Sequence, residues 1–238
     1  MSIDNFTGHI SQRFDDELDA VKGRLTEMGG IVEQQVGDAI AALLNADVAL
    51  AERVVKKDKS INKLEVAIDE DCALILARRQ PAARDLRFVL SIIKTTTDLE
   101  RIGDEADKMA TQAISLSEEG KAPHGYVEIR HIGQHVSRML SEALDCFVRQ
   151  DVELALKVAQ EDKAVDVEYG SALRAMMTYM MEDPRSITRV MSIMWSLRAL
   201  ERIGDHARNI AEHVIYMVQG DDVRHLGLKK MAEKVKQR

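Results

Sequence analysis

The sequence predicts an all-α protein: a tandem repeat of two three-helix bundles, with six long helices. Three observations lead there. The chain of 238 residues is 45% hydrophobic but only 4% aromatic, with 3 Pro and 13 Gly. A β-sandwich or barrel needs aromatic and β-branched strands broken by frequent turns, whereas this chain is rich in the helix formers Ala, Leu, Met, Glu, Lys and Arg. Apolar residues also recur at steps of three and four over long stretches, which marks one face of a helix. Finally, the second half of the chain repeats the first.

The repeat is clearest at Glu100-Arg101-Ile102-Gly103-Asp104, which recurs unchanged as Glu201-Arg202-Ile203-Gly204-Asp205. Between Val89 and Ala110, 11 of 22 positions are identical at an offset of 101. Upstream the offset becomes 104, and 7 of 13 positions match between Asp47 and Lys59, among them Asp58/Asp162. Fainter agreement reaches Gly29/Gly133. The expected organisation is a first three-helix repeat over 1–120, a second over 121–220, and a tail over 221–238.

The first helix carries Phe14, Leu18, Val21, Leu25, Met28, Val32, Val36, Ala39 and Leu43 on one face. Asn45 and Asp47 interrupt it, and Asp47 is placed to cap the next helix. That helix runs to about Ala77 through Leu50, Val54, Ile61, Leu64, Ile68 and Leu76, and Pro81 follows. The third carries Leu86, Val89, Ile92, Ile93, Leu99, Ile102, Ala106 and Met109, ending before Gly120. The second half repeats the pattern over about 126–149, 151–181 and 185–219, with Asp183-Pro184 as a cap followed by Pro at the first helical position. Short connections make neighbouring helices antiparallel. The tail after Gly220 reads as a short helix or a frayed end.

Composition narrows the function. No apolar run approaches the ~18 residues that span a bilayer. Met1 to Phe6 lacks the basic and apolar regions of a secretory signal, and two cysteines are too few for a disulfide framework or a thiolate zinc site. A cytoplasmic location is expected. The formal charge of −7 argues against nucleic acid as a partner. No nucleophile with its base and no phosphate loop is visible.

The candidate chemistry lies in paired carboxylates. Glu100 and Asp104, and again Glu201 and Asp205, are four residues apart and so share a helix face. The middle helix of each half carries a second pair at that spacing: Asp58 with Asn62, then Asp162 with Asp166. Neighbours drift meanwhile, Asp98 becoming Ala199 and Asp107 becoming Arg208. The pairs in each half are equidistant from the hairpin turn, at Pro81 or Asp183-Pro184. They therefore lie level, about 30 Å from the turn at ~1.5 Å per residue. Clustered like charges repel unless a cation joins them. The oxygen-only set suits Mg²⁺, Mn²⁺ or Fe above a soft-ligand zinc site, though Zn²⁺ stays among the candidates. The competing reading is a solvated acidic face with Arg101 and Arg202 as counter-charges.

Other features point less far. A ferritin-like di-iron enzyme needs Glu-x-x-His on two helices, and the one such spacing, Glu128 to His131, is not repeated. A carboxylate–metal helical-bundle enzyme of unknown substrate remains the alternative function. His131 and His135 form an H-x-x-x-H pair with no further ligand at a suitable offset, and His206 reads as a plain surface histidine. The methionines Met176, Met177, Met180, Met181, Met191 and Met194 read as core, and Arg78, Arg79, Arg84 and Arg87 as helix-end solvation or a partner contact.

Together, the duplicated three-helix unit, the segment Gln80-Pro81-Ala82-Ala83-Arg84-Asp85-Leu86-Arg87, the two Leu-Glu-Arg-Ile-Gly-Asp motifs and Met181-Glu182-Asp183-Pro184-Arg185-Ser186-Ile187 resemble the PhoU family over roughly residues 8–220. The resemblance implies a cytoplasmic, non-enzymatic protein that represses the phosphate-starvation response and restrains phosphate uptake. It implies an adaptor between the phosphate ABC transporter, through its ATPase PstB, and the sensor histidine kinase PhoR. Such a protein would reach the membrane only through these partners, and homodimerisation is expected. It also implies metal clusters held by paired E/D-x-x-x-D motifs, which by position are Asp58, Asn62, Glu100 and Asp104, then Asp162, Asp166, Glu201 and Asp205. Asn62 departs from the acidic pattern and implies a weaker first site.

Overall fold

The structure is a computed structural model and describes residues 12–236 except 121 and 123. The segment Met1 to Phe6 lies outside the described residues. Among them all regular structure is helical: α1 (Gln12–Asn45), α2 (Val48–Arg79), α3 (Ala83–Glu119), α4 (Tyr126–Arg149), α5 (Val152–Glu182), α6 (Ile187–Gln219) and a short α7 (Leu228–Lys236). A single 3₁₀ turn, Pro184–Ser186, leads into α6. No helix among the described residues is long and apolar enough to cross a membrane.

The bends are local chemistry repeated twice. Ala46 and its repeat counterpart Gln150 both take the left-handed conformation, with φ of 55° and 57°. The next amide reaches back five residues, Asp47 N–H to Ala42 O and Asp151 N–H to Cys146 O, each at 3.0 Å. This closes the preceding helix in a Schellman-type turn. The same aspartate opens the next helix, because Asp47 Oδ1 accepts from Leu50 N–H at 2.9 Å and Asp151 Oδ1 from Leu154 N–H at 3.0 Å. At the other hairpin, Arg79 grips Glu17 with Nε and Nη2 at 2.9 and 2.7 Å, and Arg84 donates to Gln150. Three of the four basic residues of that turn, Arg79, Arg84 and Arg87, therefore tie it to neighbouring elements.

α1–α3 and α4–α6 each pack as a three-helix unit, but one core runs through both, since α3 lies against α6 and α1 against α4. The contact between repeats is reciprocal. A Cβ on Gly29 would stand 2.7 Å from Leu144 Cδ2, and one on Gly133 would stand 3.2 Å from Ile40 Cδ1. Gly29/Gly133 and Ile40/Leu144 are both repeat pairs at the offset of 104. The two halves are thus related by an approximate two-fold axis, and glycine lets α1 and α4 approach. The methionine group is only partly core: Met176 is buried, while Met177 and Met181 are exposed.

α3 and α6 run antiparallel: Arg87 bonds Met217 O, Ser91 bonds His213 O, and Asp98 meets both His206 and His213. Asp98 is buried. His206 Nδ1 and His213 Nε2 each lie 2.8 Å from its carboxylate, and Asn209 Nδ2 donates at 3.1 Å. His206 is therefore no plain surface residue but part of the seam between the repeats. Burial alone would raise the Asp98 pKa, but the bonds from His206, His213 and Asn209 outweigh it and hold the group down at about 2.

Two predictions follow from these contacts. Asp47→Ala and Asp151→Ala should each lower unfolding stability by about 1 kcal/mol through loss of the cap, read by urea denaturation. Asp98→Asn should cost roughly 2–3 kcal/mol at neutral pH. The Asp98 pKa is depressed on folding, so its contribution is complete above the ordinary carboxylate value and is lost as pH falls toward about 2. The stability gap between variant and parent should narrow across that window.

Candidate metal centres

The Ile, Gly and acidic letters of the repeated Glu-Arg-Ile-Gly-Asp motif each have a place in the packing, while the arginine side chains reach solvent. Ile102 and Ile203 are fully buried. Gly103 faces α2, where a Cβ would lie 3.1 Å from Ile61 Cδ1, and Gly204 faces α5, with Val165 Cγ1 at 3.5 Å. The missing side chain lets α2 come close in the first half, whereas in the second a Cβ on Gly204 would make only ordinary contact with α5. Glu100 and Asp104 then flank the α2–α3 cleft, and Glu201 and Asp205 flank the α5–α6 cleft. Because Asp98 meets His206 across the antiparallel α3–α6 contact, the two motifs cross near their own centres. Both clefts lie at the waist of the molecule.

In the first cleft Asp58, Glu100 and Asp104 come together. Burial, then the charge of Asp104, raises the pKa of Asp58; burial, then Asp104, raises that of Glu100, with Asp58 adding to it. Asn62 is exposed and its Nδ2 donates to Asp58 Oδ2 at 3.2 Å, so its amide nitrogen faces the site. Two further carboxylates join the cluster: Asp107, which the sequence shows only as drift between the repeats, and Glu65, which the sequence reading did not single out. Asp107 is raised by burial and then by Asp58 and Asp104; Glu65 is raised by burial and then by Glu100, with Asp69 and Asp104 adding to it. Helix spacing carried the signal, since Asp107 is three residues beyond Asp104 and Glu65 is seven beyond Asp58.

The second cleft gathers Asp162, Asp166, Glu201 and Asp205. Burial first, and then neighbouring carboxylates, raises Glu201 and Asp205. Asp162 is raised by burial although Arg208 opposes the shift. Two arginines are bound here: Arg208 Nη1 donates to Asp162 Oδ2 at 2.9 Å, and Arg198 Nη1 to Glu201 Oε1 at 2.6 Å.

Both clefts suit a hard cation. Each holds a buried carboxylate oxygen with no hydrogen-bond partner, Asp58 Oδ1 in the first and Glu201 Oε2 in the second. Such an acceptor is costly unless a proton or an ion meets it. Among the described residues no three carboxylate, imidazole or thiolate side chains already enclose one point, so an ion would draw the side chains inward. The pair His131 and His135 does find carboxylates, on α5: His135 Nδ1 lies 3.1 Å from Glu168 and its Nε2 3.6 Å from Glu161. The offset along α4 alone could not show this.

Comparison with known proteins agrees with the duplication. The PhoU domain matches residues 25–113 and again 129–214. The chain is 61% identical over 232 residues to the phosphate-specific transport system accessory protein PhoU homolog of Pseudomonas aeruginosa, covering 98% of this chain and 96% of that one. It is 46% identical over 223 residues to the phosphate-specific transport system accessory protein PhoU of Escherichia coli K12, covering 94% and 92%. The crystal structure of PhoU from Pseudomonas aeruginosa superposes with a TM-score of 0.86 over 87% of this chain and 100% of that one, at 61% identity. The phosphate transport system regulatory protein PhoU from Streptococcus pneumoniae does so with a TM-score of 0.80 over 87% and 98%, at 31% identity. By the family match in both halves and by relatives aligned along nearly its whole length, the chain belongs to the PhoU family.

Proposed function

We propose that the protein is a negative regulator of the phosphate-starvation response and a modulator of phosphate uptake. It acts in the cytoplasm as a metal-binding, non-enzymatic adaptor between the PstB ATPase of the phosphate ABC transporter and the PhoR sensor kinase, with a homodimer as its working form. Near-full-length similarity to relatives named as accessory proteins of phosphate-specific transport carries this reading. The helical architecture supports it, because long helices offer extended faces for docking partner helices or domains.

Asp58, Glu100 and Asp104, with Asn62 beside them, would hold divalent metal in the first half; Asp162, Asp166, Glu201 and Asp205 would hold it in the second. The ion, Mg²⁺, Mn²⁺, Fe or Zn²⁺, would neutralise the clustered carboxylates and tie the middle helix of each half to the third. The repeated motif then presents a fixed surface to the partners. Signalling through that surface requires different affinities for two states of the transporter or the kinase. Equal affinity for both states would sink the adaptor mechanism.

Mn²⁺ at 100 times its dissociation constant should stabilise the folded chain by about 2.7 kcal/mol, a rise in Tm of roughly 5–10 °C. A Glu100→Ala/Glu201→Ala variant should lose most of that rise in differential scanning calorimetry. An alkaline phosphatase reporter in abundant phosphate tests the role itself. Deleting the gene should switch the reporter on, and the intact gene should silence it. Failure of the folded Glu100→Ala/Glu201→Ala variant to silence would tie signalling to the metal clefts. Silence by that variant would leave the adaptor without its metal.

A further inference from the structure

The Glu-x-x-x-Asp pair of the third helix is the same in both repeats, but a neighbour is an acid in one and a base in the other. Asp107 stands one turn beyond Asp104 on α3, and the matching place on α6 holds Arg208. Arg208 is fixed at both ends: Nη1 donates to Asp162 Oδ2 and Nε to Glu212 Oε1, each at 2.9 Å. Asp162 is 4% exposed and Glu212 3%. The guanidinium therefore bridges two buried carboxylates with charge-assisted hydrogen bonds. Arg198 adds a second cation, donating to Glu201 Oε1 at 2.6 Å while it lies over the Tyr169 ring at 5.9 Å.

The first cleft lacks this arrangement. The counterpart of Arg198 is Thr97, and that of Tyr169 is Glu65. The cation paired there, Arg101, is 54% exposed, with Nε 3.5 Å from Glu100 Oε2. Helix register places five carboxylates around the first cleft: Asp58, Glu65, Glu100, Asp104 and Asp107. The second has four, with two arginines already bonded to them.

We infer that Arg208 is a resident counter-ion occupying part of the second cleft in place of metal, so that the two clefts differ in affinity for divalent cations and the first fills before the second. The inference rests on the metal reading above and deepens it. A divalent ion approaching Asp162 meets a fixed positive charge already bonded to that carboxylate. To use both oxygens it must displace Arg208 and strip Glu212 of its partner. Oxygen sites for hard cations are tuned by the number of ligand charges, and that number favours the first cleft. This reverses the order expected from Asn62 alone. At a low cation level only the α2–α3 hairpin is clamped, and a higher level is needed to clamp α5–α6. One chain thereby has two metal thresholds.

Single-site variants separate the clefts. Glu201→Ala/Asp205→Ala keeps the first and Glu100→Ala/Asp104→Ala keeps the second. Calorimetric titration with Mn²⁺ should give a dissociation constant at least about tenfold lower for the first cleft. Adding Arg208→Gln with Glu212→Gln to the second-cleft variant removes the guanidinium without leaving a lone buried charge, and should recover most of that factor. Circular dichroism checks that each variant is folded. The unaltered chain supplies an independent reading, a two-step titration by Mn²⁺ electron paramagnetic resonance. Equal constants in the single-site variants, a one-step titration of the unaltered chain, or no gain on removing Arg208 would overturn the inference while the metal reading stands. No Mn²⁺ bound by any of these proteins would overturn the metal reading and the inference with it.

Discussion

The packing of α3 against α6 sets the position of the candidate ligands these two helices carry, Glu100, Asp104, Glu201 and Asp205, because each helix turns one flank to the seam between repeats and the other to its own cleft. Val89, Ile92, Leu99, Ile102 and Ala106 are buried along α3, and Val190, Ile193, Leu200, Ile203 and Ala207 repeat them along α6. With that face committed to the core, Glu100 and Asp104 can only flank α2, and Glu201 and Asp205 only α5. The apolar seam also bears the electrostatic cost. Carboxylates that repel one another stay level because the helices carrying them are held by burial elsewhere.

A site built this way is strained in charge but not in shape. Burial and mutual repulsion raise Asp58, Glu100, Glu201 and Asp205 together, so each cleft favours whatever neutralises it. The orphaned oxygens Asp58 Oδ1 and Glu201 Oε2 mark where that demand is greatest. A proton, an arginine or a metal ion can meet it, and metal binding must then compete with protons. The second cleft already uses arginine in part. The two copies of one unit thus answer the same need differently: the second with arginine in part, the first, among the described residues, with no guanidinium hydrogen-bonded to its carboxylates.

Most of the fold was legible because its determinants are local or repeated. The three-and-four spacing of Phe14 to Leu43 is α1, and the caps at Asp47 and Asp151 lie where the pattern breaks. The level pairing of 58/62 with 100/104 needed only a symmetric hairpin. Contacts made by neither local spacing nor symmetry stayed hidden. Asp98 meets His206 and His213 across more than a hundred residues, and no periodicity encodes which flank of α3 faces α6. Asp107 and Arg208 were visible as a difference between repeats, yet they looked like drift until Arg208 was placed on Asp162.

The same divergence gives the seam two unlike ends. On one side of the approximate two-fold axis Asp98 is bonded by His206, Asn209 and His213, which fills the contact with a satisfied polar network. Their repeat counterparts are Ala199, Glu105, Lys108 and Gln112. Those four line a cavity of about 210 Å³ beside Trp195, Arg198 and Arg202. With alanine where the other side has aspartate there is no central acceptor, and the space there is open. Glu105 instead accepts from Lys108 at 2.9 Å and lies 3.2 Å from Arg202 Nε. The carboxylate and its three partners thus differ together between the pseudo-symmetric positions, as members of a buried polar network that is satisfied only as a whole do. Two copies that share a backbone and a core have come to differ wherever a charge faces the seam or a cleft, and their distinct chemistry resides there.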